Sequence, residues 1–175
     1  SELLLTHVGV NPTRTGVLAI LELMGADISL RNPREVGGEP VADILVRYHP
    51  LHGIQIPKEQ VPLAIDEFPI IFIAAACADG QTVLTGAEEL RVKESDRIQV
   101  MADGLQALCI EAEPTPDGMV IQGGKLYGGT INSQGDHRIA MAFTIAALRA
   151  TEPVIIDDCA NVATSFPNWL TPPRT

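Results

Sequence analysis

Seven consecutive residues, Arg91-Val92-Lys93-Glu94-Ser95-Asp96-Arg97, carry five charges with both signs interleaved. The chain has a net charge of −10 and only twelve Lys and Arg, three of which fall in this heptad. An acidic protein that gathers its few cations in one place suggests a local anion site, where Arg forks onto carboxylate or phosphate and Lys acts as a point charge. On either side of it, Asp66 and Asp136 stand where apolar helices begin, with His137 and Arg138 directly after Asp136. Helix N-termini present unpaired N–H groups and partial positive charge, which suits carboxylate caps and anionic ligands alike. Capping accounts for Asp96 and Asp136. It does not account for Lys93, Arg97 and Arg138, cations at helix starts where the macrodipole disfavours them. They need anionic company, from nearby acids or from a ligand bearing phosphate or carboxylate. With Glu94 and His137 close by, these are the parts for acid–base chemistry on a phosphorylated substrate. The sequence shows no P-loop, no GxGxxG, no clustered metal ligands and no nucleophile elbow.

The elements that position these residues follow from periodicity. Ile98, Met101, Leu105 and Leu108 are apolar at i, i+3, i+7 and i+10, the stripe of an amphipathic helix. Extended back to Glu94, that helix sets the Glu94 carboxylate nearly in line with the buried stripe. Burial would favour its neutral form, while Lys93, Arg97 and the helix dipole would favour the carboxylate, and the residues alone leave both open. Asp66-Glu67-Phe68-Pro69 opens a helix whose body, Ile70 to Ala78, is apolar nearly all round and therefore buried. Gly135-Asp136-His137-Arg138 opens a second all-apolar helix, Ile139 to Leu148. A first helix, capped by Thr13 or Thr15, runs to Met24 with Gly25 behind it. Strands are expected at Glu2 to Val10, Ala26 to Leu30, Ala42 to Tyr48, Gln81 to Leu84, Cys109 to Ala112, Met119 to Gln122, Lys125 to Asn132 and Val154 to Ile156. Arg31 to Pro40 reads as a surface loop, and His49 and His52 as isolated histidines of an irregular connector.

The helix starts repeat. Asp66-Glu67-Phe68 with its apolar helix and strand lines up with Asp136-His137-Arg138 and its own, and the helix to Met24 matches the helix to Leu108. Each unit reads strand, helix, strand, strand, helix, strand over roughly 70 to 85 residues, and such units stack to share a core. A chain of 175 residues suffices for one full domain. It is 46% hydrophobic but only 4% aromatic, so that core is built mainly from Ile, Leu, Val and Ala. The negative charge argues against a nucleic-acid or anionic-membrane partner. Apolar runs of about ten residues are too short to span a bilayer. Cys77, Cys109 and Cys159, without paired or metal-like spacing, read as reduced thiols of a cytosolic-type protein. The chain begins at Ser1 in strand-like sequence and reads as a piece of a longer protein.

The heptad, Gly135-Asp136-His137-Arg138-Ile139-Ala140-Met141-Ala142 and Thr164-Ser165-Phe166-Pro167 together resemble the carboxyl-terminal half of the 5-enolpyruvylshikimate-3-phosphate synthase (3-phosphoshikimate 1-carboxyvinyltransferase) family. Asn11-Pro12-Thr13-Arg14 and Asp66-Glu67-Phe68-Pro69 also fit, in order and at family-like spacing across nearly the whole chain. The resemblance implies a mixed α/β (α+β) architecture, the enolpyruvyl-transferase or inside-out α/β barrel fold. It has two domains of βαβαββ units around buried parallel helices, with substrates in the cleft between them. Residues 1–175 would be most of one domain, about two and a half units, with the amino-terminal half absent. The implied reaction moves the enolpyruvyl group of phosphoenolpyruvate to the 5-hydroxyl of shikimate 3-phosphate, releasing phosphate. It belongs to the shikimate pathway of aromatic amino acid biosynthesis in the cytoplasm and needs neither metal nor organic cofactor. By the same resemblance Asp66 and Glu94 would be catalytic. Asp66 and Lys93 would bind shikimate 3-phosphate, and Arg97, His137 and Arg138 would bind phosphoenolpyruvate. Some members carry a Lys where this chain has Thr164, so one phosphoenolpyruvate contact is missing. The related transferase acting on UDP-N-acetylglucosamine shares fold and cosubstrate, but the Lys-Glu pair of the heptad fits the shikimate enzyme better. A non-catalytic isolated half-domain is the alternative of a different class.

Overall fold

The computed structural model describes residues 1–158. Its strands are β1 (Glu2–Gly9), β2 (Asp27–Val36), β3 (Glu39–Arg47), β4 (Gln81–Leu84), β5 (Glu111–Thr115), β6 (Gly118–Gln122), β7 (Gly129–Asn132) and β8 (Val154–Asp157). The helices are α1 (Gly16–Leu23), α2 (Phe68–Cys77), α3 (Arg97–Ala107) and α4 (His137–Ala147).

The expected repeat is visible in the sheets. One has the order β1-β3-β2 and the next β4-β6-β5, both antiparallel, with α1 joining β1 to β2 and α3 joining β4 to β5. Ahead of α2, the segment at Gln55 bridges Val83 of β4 in parallel, so α2 crosses over between that segment and β4. In the same way α4 crosses over between β7 and β8, which pair in parallel from Gly129↔Val154 to Asn132↔Asp157. Parallel neighbours need such a crossover because a tight hairpin cannot join them.

The core forms where the helices meet. Ile98, Met101, Leu105 and Leu108 are all fully buried, as the stripe requires. Phe68, Ile71, Phe72, Ala75 and Ala76 of α2 join them, with Ile139, Phe143 and Ala146 of α4. At Gly104 of α3 the Phe143 ring of α4 comes so close that an added Cβ would lie 2.4 Å from Cζ.

Several boundaries differ from the sequence reading. Arg31 to Pro40 is not a loop. It is a hairpin whose turn, Gly37-Gly38, holds φ at +58° and +84°, the primed geometry that glycine permits. Bulges in both partners of β3, at Leu5/Val8 and Arg31/Arg34, break the period-two pattern that would have marked these strands. Cys109 does not begin β5. It sits at φ +68° past the end of α3, while the Ile110 N–H reaches back to the Leu105 carbonyl at 3.0 Å, a left-handed helix cap filled by cysteine. Lys125 to Tyr127 precede β7 instead of extending it. Thr15 occupies the N-cap of α1 without a side-chain cap bond. Asn11 Oδ1 instead accepts from the Thr13 N–H and hydroxyl. Finally, α4 is apolar all round but not buried all round. Ile145 and Leu148 are exposed, Leu148 by 79%, because nothing among the described residues covers that face.

Alanine in place of glycine inside a helix ordinarily adds about 1 kcal/mol of stability. At Gly104 the sign reverses: Gly104→Ala is expected to lose about 1–3 kcal/mol by overpacking against Phe143. Urea unfolding of the two proteins measures the difference.

Candidate active site

The helix starts converge on Asp66. This residue sits in a single 3-10 turn, Ile65–Glu67, that runs directly into α2. Lys93, ahead of α3, places Nζ 3.3 Å from Asp66 Oδ1, and Arg97, the first residue of α3, places Nη1 at 3.7 Å. Arg14, ahead of α1, brings Nη2 to 3.9 Å from Oδ2. Arg138, in the first turn of α4, donates from Nη1 to the Asp66 backbone carbonyl at 3.1 Å. Burial pushes the Asp66 carboxyl up. The Lys93 hydrogen bond and the charges of Lys93, Arg138 and Arg97 outweigh it and hold the group below its ordinary value of 3.8.

Arg97 is the buried member of the cluster, 1% exposed. Its Nε donates to Asp136 Oδ2 at 2.9 Å, and its Nη2 donates to Asp136 Oδ1 at 3.3 Å and to Glu94 Oε2 at 2.7 Å. Asp136, 0% exposed, also accepts from Ser95 Oγ at 2.8 Å and from the Arg138 backbone N–H at 3.1 Å. Burial again pushes its carboxyl up, and the hydrogen bonds from Arg97 and Ser95 with the Arg97 charge bring it below 3.8. Asp136 is therefore a cap, as its position suggested, and at the same time the counter-ion of a buried guanidinium.

The heptad divides its work unevenly. Arg91 serves the scaffold: it pairs with Asp96 at 2.8 Å and donates to the Thr115 and Pro116 carbonyls, tying this loop to the β5–β6 turn. Asp96 caps α3, accepting from the Gln99 N–H at 3.1 Å. That cap starts the helix at Arg97, so Glu94 does not lie on it. Glu94 stands in the preceding loop with its side chain 57% exposed, against the expectation that it lines up with the buried stripe. The buried charge is Arg97 instead. His137 opens α4 partly buried, and its ring makes no hydrogen bond or ion pair among the described residues. The Thr164-Ser165-Phe166-Pro167 turn and Cys159 lie outside the described residues, while Cys77 and Cys109 are free.

Three contributors were not singled out from the sequence. Glu89 pairs with Lys93 at 3.1 Å, Ser95 binds Asp136, and Arg14 approaches Asp66. Arg14, in the Asn-Pro-Thr-Arg run, and Ser95, within the heptad, had a legible signal, and Glu89 had none. Between the starts of α2 and α4 lies a cavity of about 260 Å³ with Asp66, Glu67 and Arg138 at a polar end and Pro69, Ile70 and Met141 along its apolar wall. Among the described residues no helix is long and apolar enough to cross a membrane.

The fold has close structural relatives. A solved EPSP synthase from Acinetobacter baumannii superposes with a TM-score of 0.93 at 58% identity, over 96% of this chain and 40% of that one. The fold is the enolpyruvyl-transferase fold, of mixed α/β type. The family profile of EPSP synthase (3-phosphoshikimate 1-carboxyvinyltransferase) matches residues 1–171. The 3-phosphoshikimate 1-carboxyvinyltransferase of Methylococcus capsulatus is 70% identical over 175 residues, all of this chain and 40% of that protein. The enzyme of the same name from Nitrosococcus oceani is 68% identical over 170 residues, 97% of this chain and 38% of its own length. The chain belongs to the EPSP synthase family. It spans about 40% of the length of the curated relatives it matches.

The depressed Asp136 carboxyl has a consequence for stability. A group whose folded value lies below its unfolded one contributes stability that is fully present above the ordinary 3.8 and is lost as pH falls through the folded value. Asp136→Asn is expected to remove that part of the acid dependence while lowering stability near neutrality, and urea unfolding at a series of falling pH values reads both.

Proposed function

We propose that residues 1–175 supply the carboxyl-terminal-half domain, about two and a half βαβαββ units, of a two-domain cytoplasmic enzyme. Its reaction transfers the enolpyruvyl group of phosphoenolpyruvate to the 5-hydroxyl of shikimate 3-phosphate and releases phosphate. The observation that carries this reading is the meeting at Asp66 of three cations from two helix starts: Lys93 and Arg97 of the heptad at its carboxylate, and Arg138 of α4 at its backbone carbonyl. Arg138 in particular meets no carboxylate within ion-pair distance among the described residues, so its charge is available to an anion. Among the described residues nothing covers one face of α4 or pairs with the outer edge of β1, where Leu3, Leu4 and Leu5 are exposed, and this supports a partner in the amino-terminal half.

In this reading Asp66 accepts the proton of the attacking hydroxyl, and Lys93 and Asp66 hold shikimate 3-phosphate. Phosphate bound to Lys93 would draw that cation from Asp66 and strengthen the carboxylate as a base. Arg97, Arg138 and His137 bind phosphoenolpyruvate. The hydroxyl oxygen adds to its C2 while Glu94 delivers a proton to the methylene carbon. Phosphate then leaves as Glu94 takes a proton back from the new methyl group. In this reading Asp66 and Glu94 carry the proton transfers, and neither a metal nor an organic cofactor takes part.

In the full-length protein, Glu94→Gln and Arg138→Ala are each expected to lower turnover at least about a hundredfold, the scale of lost acid–base or charge stabilisation. Phosphate release from the two substrates measures it, and near-wild-type turnover in either variant removes that residue's role. The chain alone, offered both substrates, is expected to release no phosphate above background.

A further inference from the structure

Asp136 has no task of its own in the proposed chemistry, yet its carboxylate collects four hydrogen bonds from three residues. Capping explains one of them, from the Arg138 N–H. Asparagine or serine would serve equally as a cap. A buried guanidinium, in contrast, demands a buried counter-charge. The contact through Nε and Nη2 at 2.9 and 3.3 Å fixes both the plane and the rotation of the Arg97 guanidinium. The remaining nitrogen, Nη1, is thereby turned toward Asp66 Oδ1 at 3.7 Å, a distance beyond a good hydrogen bond. It is aimed but not consumed. Ser95 completes the arrangement. Its hydroxyl, 2.8 Å from Asp136 Oδ2, anchors the residue directly after Glu94 in a stretch that belongs to neither the 3-10 turn Glu88–Val92 nor α3.

We propose that Asp136 is a positioning residue which, with Ser95, holds Arg97 so that Nη1 presents to an anionic substrate group beside Asp66. This rests on the reading of Arg97 as a phosphoenolpyruvate ligand. Arg97, once aimed, meets its anion without reorganising, and the Ser95 bond keeps the Glu94 loop in register with it.

The test uses the full-length protein. Asp136→Asn keeps the shape and the acceptor for the Arg138 N–H while removing the charge. It is expected to raise KM for phosphoenolpyruvate about tenfold or more, the size of one charge-assisted hydrogen bond, with KM for shikimate 3-phosphate within about twofold. Ser95→Ala, a milder change that stands in if Asp136→Asn does not fold, is expected to raise the same KM about threefold, the size of one neutral hydrogen bond, and Ser95→Thr to restore it. The Arg97 Nε–H resonance, observed without substrate, should be slow to exchange in the wild type and lost in Asp136→Asn. Loss of that resonance with an unchanged phosphoenolpyruvate KM overturns the positioning role, as does an equal rise in both KM values. Arg97→Lys with wild-type phosphoenolpyruvate KM overturns the ligand reading instead, a result the substrate-free resonance keeps separate.

Discussion

A guanidinium buried to 1% exposure against a carboxylate buried completely is the interaction on which this site depends. Taking both charges out of water is expensive, and only good geometry with every lone pair engaged offsets it. Here the geometry is two-pronged and the carboxylate is saturated by Ser95 and the Arg138 N–H. Breaking such a pair on one side typically costs about 3–5 kcal/mol, so it resists rearrangement far more than the exposed pairs around it. It also joins two sequence motifs 39 residues apart, fixing the start of α3 to the start of α4. Everything else in the cluster is placed relative to that joint.

Why the cluster forms where it does follows from chain direction. Crossover connections between parallel strands bring each strand's carboxyl end and the next helix's amino end to the same edge of the layer. The approach to α2 and the route from β7 through α4 obey this, so Asp66 and Asp136 arrive at one edge with their helices' partial positive charge behind them. The carboxylates suit those positions. The cations do not, and they are tolerated because each is placed against an acid or a carbonyl from another helix start. The repeat thus does more than build a core. It delivers groups distant in sequence to one edge and sets charges of opposite sign against each other there.

Much of this was legible in the residues. The stripe from Ile98 to Leu108, the apolar α2 with Pro69 in its first turn, the strand at Gln81–Leu84 and the repeat itself all follow from local pattern. So did the gathering of scarce cations. What escaped was set by geometry that pattern does not encode. The β2–β3 hairpin is hidden by paired bulges, with His7 and Asn32 at φ +56° and +51°. The left-handed cap at Cys109 gives no signal because the residue is not glycine. The depth of Glu94 and Arg97 was exchanged because one residue, Asp96, caps the helix and decides where it begins. A helix extended by one turn in projection turns a surface acid into a buried one. Periodicity finds the stripe, but only the cap fixes which charge lies upon it.

The cluster is also divided by depth, and that division governs how it would meet an anion. Glu94 on Arg97 and Glu89 on Lys93 are largely exposed acids, 57% and 62%, paired at 2.7 and 3.1 Å. A pair with an acid as exposed as Glu89 is worth roughly 0.2–1 kcal/mol, little enough for an incoming phosphate or carboxylate to displace it from Lys93. Asp136 is not exchangeable on that scale, and Asp66, faced by three cations, stays ionised. An anion arriving here would displace Glu89 from Lys93 and meet Arg97 at Nη1, while Asp136 keeps Arg97 in place. Surface charges alone would be mobile, and a wholly buried set could not open. A fixed inner layer under a replaceable outer layer keeps the cations aimed before the anion arrives and still lets it reach them.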